Sequence, residues 1–230
     1  MSNMLTARFE RHKFGMLLAA LIVVQLIPVI QGEPNDELWG VLWGIVLLTA
    51  VYAAAETRRV TVILGTVAIL VFSGRIANAL APVSFRNPVE AGGYIAGAIF
   101  LGATIFMLLR AILRAPRING DTVIGAICVY SLIGFLWTNF YALAYLADPG
   151  AFNFPEYAQP SPDTIVPEFT FGYFSFVTLT TLGYGDITPV TFRARTLSWM
   201  EAVVGVAFMA TTITFLVSQV IVDRQKDRKL

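Results

Sequence analysis

The chain has 230 residues, of which 57% are hydrophobic and only 13% charged, with a mean hydropathy of +0.70. A soluble domain carries roughly 25% charged residues, so this chain lacks the charge to cover a water-soluble globule, and its net charge of +1 argues against a nucleic-acid binder with a strongly basic face. The single cysteine, Cys128, excludes an internal disulfide and any cysteine-based metal site.

What remains is an all-α integral membrane protein. A run needs roughly 17–25 apolar residues to cross about 30 Å of hydrocarbon. In chain order the candidates are 14–31, 38–55, 60–80, 91–113, 122–147 and 197–222. Breakers separate them at Gly32-Glu33-Pro34, Pro82, Pro116 and Gly120. The first run follows Arg8, Arg11 and Lys13 as a signal peptide would. It is long for such a segment and no small-residue cleavage site follows, so a retained helix is expected.

Basic residues orient the spans. With the N-terminus inside, 12 of the 16 Lys and Arg fall on the cytoplasmic side: Arg8, Arg11, Lys13, Arg58, Arg59, Arg110, Arg114, Arg117, Arg224, Lys226, Arg228 and Lys229. Outside lie Arg86, Arg193 and Arg195, with Arg195 expected to anchor the last helix. Both termini are expected in the cytoplasm, in a multi-pass protein of the plasma (cell inner) membrane without a soluble appendage. Helix four carries no charge over 91–109; Arg110, Arg114 and Arg117 come only at its cytoplasmic end. That pattern reads as positive-inside anchoring rather than a ladder of charges in the membrane field. Arg75, near the outer end of helix three, either snorkels to the headgroups or pairs with an external acid such as Glu90. Cys128 is expected to pack as an apolar residue, and His12 to be solvated.

The insert between helices five and six differs from the rest. Residues 148–168 are rich in proline, at 149, 155, 160, 162 and 167. An aromatic stretch follows, Phe169-Thr170-Phe171-Gly172-Tyr173-Phe174-Ser175-Phe176, too short to span a bilayer. Irregular backbone at membrane depth is tolerated only where it lines a cavity or packs on protein, so this segment is expected to dip in and return.

Beyond it, Thr181-Leu182-Gly183-Tyr184-Gly185 resembles the selectivity-filter signature of the potassium-channel family, and the match continues through Asp186 and Pro189-Val190-Thr191. The resemblance covers roughly 168–222; over the first four helices only helix count and orientation are similar to six-helix channels. It implies a re-entrant pore helix and filter loop between helices five and six. It also implies K+ binding by the backbone carbonyls of Thr181, Leu182, Gly183 and Tyr184, with the Thr181 hydroxyl adding an inner ring. Gly185, Asp186, Tyr173 and Phe174 become candidate filter supports, with Tyr184 braced against surrounding aromatics. Gly205 falls where relatives carry an inner-helix hinge, though a packing glycine fits as well. One filter strand per chain implies a homotetramer, three identical subunits being the partners besides lipid and K+. The implied division is 1–117, a four-helix membrane domain in the voltage-sensor position without an arginine ladder, and 118–230, the pore domain.

Two departures matter. Val177 stands where some bacterial channels have a glutamate that pairs behind the filter, leaving the Tyr173 hydroxyl as candidate donor to Asp186. Thr188 stands where an aromatic ring confers external quaternary-ammonium block in some relatives, so weak block is expected. Asp148, Glu156, Asp163, Glu168 and Asp186 either concentrate cations at the outer mouth or form a solvated acidic rim. Glu201, an intramembrane acid, is a candidate functional residue behind the filter. No catalytic triad, metal cluster or phosphate loop is present. The expectation is no enzyme, no cofactor beyond K+ as permeant ion, and no nucleic-acid partner. A weakly selective cation channel or a non-conducting subunit of a heteromeric channel stay open as alternatives.

Overall fold

Hydrocarbon offers the backbone no hydrogen-bonding partner, so long apolar runs must close their bonds internally as helices. The computed structural model describes residues 13–31, 36–54, 58–80, 83–115, 119–156 and 168–227. Its helices are α1 (Lys13–Gln31), α2 (Asp36–Ala54), α3 (Arg58–Leu80), α4 (Val83–Leu113), α5 (Gly120–Ala147), α6 (Glu168–Leu179) and α7 (Phe192–Asp227). His12, Asp163, Arg8, Arg11, Arg117, Arg228, Lys229, the breakers at 32–34, 82 and 116, and the prolines at 160, 162 and 167 lie outside the described residues. So do the side chains of Arg75, Arg86, Arg224 and Lys226.

Three stretches are long and apolar enough to cross a membrane among the described residues: Pro88–Leu113, Gly120–Ala147 and Phe192–Ser218. The described apolar portions of α1 and α2 are shorter, Lys13–Leu26 and Leu42–Ala54. The ends of α4 and α7 depart from the apolar runs expected for them. α4 starts at Val83 rather than 91, with Pro88 inside it, and α7 starts at Phe192 rather than 197. Hydropathy marks where hydrocarbon begins, whereas hydrogen bonding marks where the helix begins, and polar residues such as Glu90 or Arg195 extend a helix past the greasy part. α7 is capped by Thr191, whose hydroxyl accepts from the Ala194 amide at 3.3 Å. α5 is capped by Asn119, whose Oδ1 accepts from the Thr122 amide at 2.9 Å.

The chain forms two compact units. One comprises the described residues within Met1–Ala68, Ala103–Ser131 and Met209–Leu230. Here α1 packs on α2, α1 burying Phe14, Leu17, Leu21 and Val24 and α2 burying Leu42, Val46, Ala50 and Ala53. That spacing of three to four residues is one helical face. Gly125 lets α5 meet the Phe14 ring, since a Cβ there would stand 3.3 Å from it. Cys128 is fully buried and its thiol reaches the Phe14 carbonyl at 3.5 Å.

The other unit comprises Ile69–Gly102 and the described residues within Leu132–Phe208. Its core is aromatic. Phe171 and Phe174 of α6 meet Tyr141 of α5 and Phe152 of the following loop, with Phe152–Phe171 centroids 4.9 Å apart and Tyr141–Phe174 5.0 Å apart, both near edge-to-face. A short 3-10 turn, Pro149–Ala151, capped by Asp148, leads into β1 (Phe152–Asn153). β1 pairs antiparallel with β2 (Thr188–Pro189), Phe152 opposite Pro189 and Asn153 opposite Thr188. This two-residue ladder is the only β structure among the described residues, and no sequence periodicity announces it.

Candidate functional site

α6 has 12 residues, ~18 Å at 1.5 Å per residue, well short of the ~30 Å of hydrocarbon. It is too short to cross a membrane, in keeping with the re-entrant helix expected here. Glu168, assigned to the preceding loop by sequence, is its first residue, where a negative charge suits the positive end of the helix dipole. Glu168 Oε1 accepts from the Tyr94 hydroxyl at 2.7 Å, tying α6 to α4. Phe171, Phe174, Ser175, Val177 and Leu179 are buried. Gly134 of α5 makes room for this helix, because a Cβ there would come within 3.0 Å of the Phe176 ring.

The chain leaves α6 through Thr180 and Thr181, then runs without regular structure to Gly185. Thr181, Gly183 and Gly185 have positive φ of 59°, 59° and 76°, while Leu182 and Tyr184 between them do not. Glycine adopts that region freely. For a β-branched residue it is a true outlier, costing about 1–3 kcal/mol, and such strain clusters at functional sites. The amides of Leu182 and Gly183 both donate to the Val177 carbonyl, at 2.9 and 3.3 Å. In a trans peptide the C=O points opposite to the N–H of the same plane. The carbonyls of Thr181 and Leu182 therefore face away from α6, on the exposed side of the chain, where residues 180–185 are all exposed.

Support comes from both flanks. The Tyr173 hydroxyl donates to Asp186 Oδ2 at 2.8 Å, joining α6 to the residue that follows Gly185. Beyond Asp186, Ile187 is buried in the aromatic core, and the Val190 amide donates to the Ala151 carbonyl at 2.8 Å. Arg195 Nε donates to the Pro189 carbonyl at 3.2 Å. The segment after Gly185 is thus clasped by the loop after α5, a contact that sequence reasoning missed. Phe174 is buried within the core. Tyr184 is 66% exposed, so the bracing expected of it is not made within the single chain.

Behind α6 lies Glu201 of α7, 0% exposed. Its carboxyl group is bonded to the Tyr141 hydroxyl of α5 and the Ser175 hydroxyl of α6. One turn on, Gly205 is buried against the end of α6, where an added Cβ would overlap the Leu179 carbonyl. Trp137 of α5 donates its indole N–H to the Leu197 carbonyl at 3.1 Å, a further tie to α7. Ser175 and Tyr141 carried no recognisable signal, because they become site residues only through the distant Glu201.

Residues 166–222 match a family model described as an ion channel. The voltage-gated potassium channel Kch of Escherichia coli (strain K12) is 30% identical over 115 residues, half of this chain and 25% of that protein. The probable potassium channel protein 2 of Methanocaldococcus jannaschii is 45% identical over 58 residues, 25% of this chain and 17% of that protein. The chain therefore spans a quarter or less of the length of these relatives. No solved structure matches. The resemblance to potassium channels is borne out over the matched residues 166–222.

Proposed function

Proceeding from that ion-channel segment, we propose that the chain is one subunit of a potassium-selective channel that conducts K+ passively through a tetrameric pore. The backbone of 181–185 is the observation that carries this reading. Alternating positive φ turns successive carbonyls toward one side, which is the requirement for replacing the hydration shell of K+ with oxygens. Thr181, Leu182, Gly183 and Tyr184 offer those carbonyls, and the Thr181 hydroxyl offers a further ring. Gly185, Asp186, Tyr173 and Phe174 hold the strand from behind and above. A single strand cannot close a ring, and its exposed face fits three more copies of the same chain. No cofactor is called for beyond the permeant ion.

The same reading gives six spans, both termini in the cytoplasm of the cell's inner membrane, a four-helix domain over 1–117 and a pore domain over 118–230. Gly205 is a close-packing glycine by its contact with Leu179, and a hinge on the family pattern. The test is purified protein in bilayers under opposed potassium and sodium gradients. The expected reversal potential follows potassium; one that ignores the potassium gradient overturns the reading, and one midway between the two ions favours the weakly selective alternative.

A further inference from the structure

Ion conduction by backbone carbonyls makes no use of Glu201, yet this residue is the most deeply buried acid among the described residues and three oxygen–oxygen contacts run through its neighbourhood. The Tyr141 hydroxyl donates to Oε2. Ser175 Oγ is bonded to Oε1. The same Ser175 Oγ lies 2.7 Å from the Gly134 carbonyl oxygen. That carbonyl can only accept, as it also does from the Thr138 hydroxyl at 3.1 Å. Ser198 and Thr178 add hydroxyls beside Tyr141, and no lysine or arginine is paired with Glu201 among the described residues.

The hydrogens can be counted. Serine and tyrosine carry one hydroxyl hydrogen each, and an ionised carboxylate carries none. With Glu201 ionised, two hydrogens would have to serve three contacts. Either Ser175 and the Gly134 carbonyl, or Ser175 and Oε1, would then face each other as bare acceptors. An unpaired charge at this depth would add its own desolvation cost. A proton on Oε1 completes the set: Glu201 donates to Ser175, Ser175 donates to the Gly134 carbonyl, and Tyr141 donates to Oε2.

We propose that Glu201 is carried as a neutral carboxylic acid whose proton ties α7 to α6 and α5, making it a positioning residue for the filter strand that α6 leads into. The tie sits one turn from a second contact on the same two helices. Ser175 meets Glu201, and Leu179, four residues later, meets Gly205, four residues after Glu201. The two contacts fix both the height and the rotation of α6 against α7. The positioning role rests on the channel reading above; the proton does not.

Infrared difference spectra between the wild-type chain and Glu201→Gln, in lipid at neutral pH, test the proton without any ion flux. The expected result is a protonated-carboxyl stretch, shifting in deuterated water, that is present in the wild type and missing from the variant. A difference consisting only of carboxylate bands overturns the proposal. For positioning, K+ flux into liposomes is compared across Glu201→Gln, Glu201→Asp and Ser175→Ala. The glutamine amide can donate to Ser175 and accept from Tyr141, so flux and selectivity should stay within about twofold of wild type. The aspartate is one methylene too short and Ser175→Ala breaks the relay, so each should lose about tenfold. Equal losses in glutamine and aspartate variants overturn the positioning role. If the wild type itself passes no potassium-selective current, the channel reading fails, and the infrared result still decides the proton.

Discussion

Asp186 illustrates what a single residue contributes at the outer end of the candidate filter. It lacks an acidic partner at Val177 and takes its hydrogen bond from Tyr173 instead, at 2.8 Å. A bond to a charged group is worth ~1.5–3 kcal/mol, and this one spans the strand from helix to mouth. Tyr173→Phe removes the donor and leaves the ring, so currents should inactivate about tenfold faster during sustained opening, equivalent to ~1.4 kcal/mol. Recordings that show unchanged inactivation and ion occupancy would remove Tyr173 from the support. Thr181 behaves differently: its positive φ is a property of the backbone, and nothing in the letter Thr foretells it.

Among the elements, α6 and α7 meet through Gly205 and Glu201. Gly205 sits where a methyl group would strike the Leu179 carbonyl, and backbone cannot move aside as a flexible side chain could. Gly205→Ala should therefore displace the end of α6, lowering both K+ selectivity and the thermal stability of the assembly. A variant with altered open probability but untouched selectivity would assign Gly205 to hinging alone. α4 leads to a different expectation. Its 91–109 stretch is free of charge, and each charge crossing 100 mV contributes about 2.3 kcal/mol. Open probability should vary only shallowly with voltage. A steep conductance–voltage curve, comparable to channels with several gating charges per subunit, would contradict it, whatever the name of the E. coli relative says of that protein.

For the molecule as a whole, the exposed side chains point to assembly. Trp199, Val203, Val206 and Ile213 of α7 are exposed in one chain, together with Tyr184 of the strand. Lipid can cover some of these, but Tyr184 stands beside carbonyls that, in the proposed channel, close a ring only with other copies of the chain. Purified protein in mild detergent should have the mass of four 25.2 kDa chains. A monomer under all potassium concentrations would leave the carbonyl ring unclosed and defeat the proposal.

Much was legible in the letters alone. Apolar runs located the long helices among the described residues, because hydrocarbon length and internal hydrogen bonding impose a simple rule on sequence. Gly183 and Gly185 announced unusual dihedrals, because few other residues reach them cheaply. Cys128 was readable as a packed apolar residue. Tertiary structure alone decided the rest. The clasp of Phe152 to Pro189, the approach of Gly205 to Leu179, and the joining of Glu201 to Ser175 and Tyr141 each unite residues dozens of positions apart. Local composition reports what a residue can do; only packing brings the second oxygen within hydrogen-bonding distance of the first.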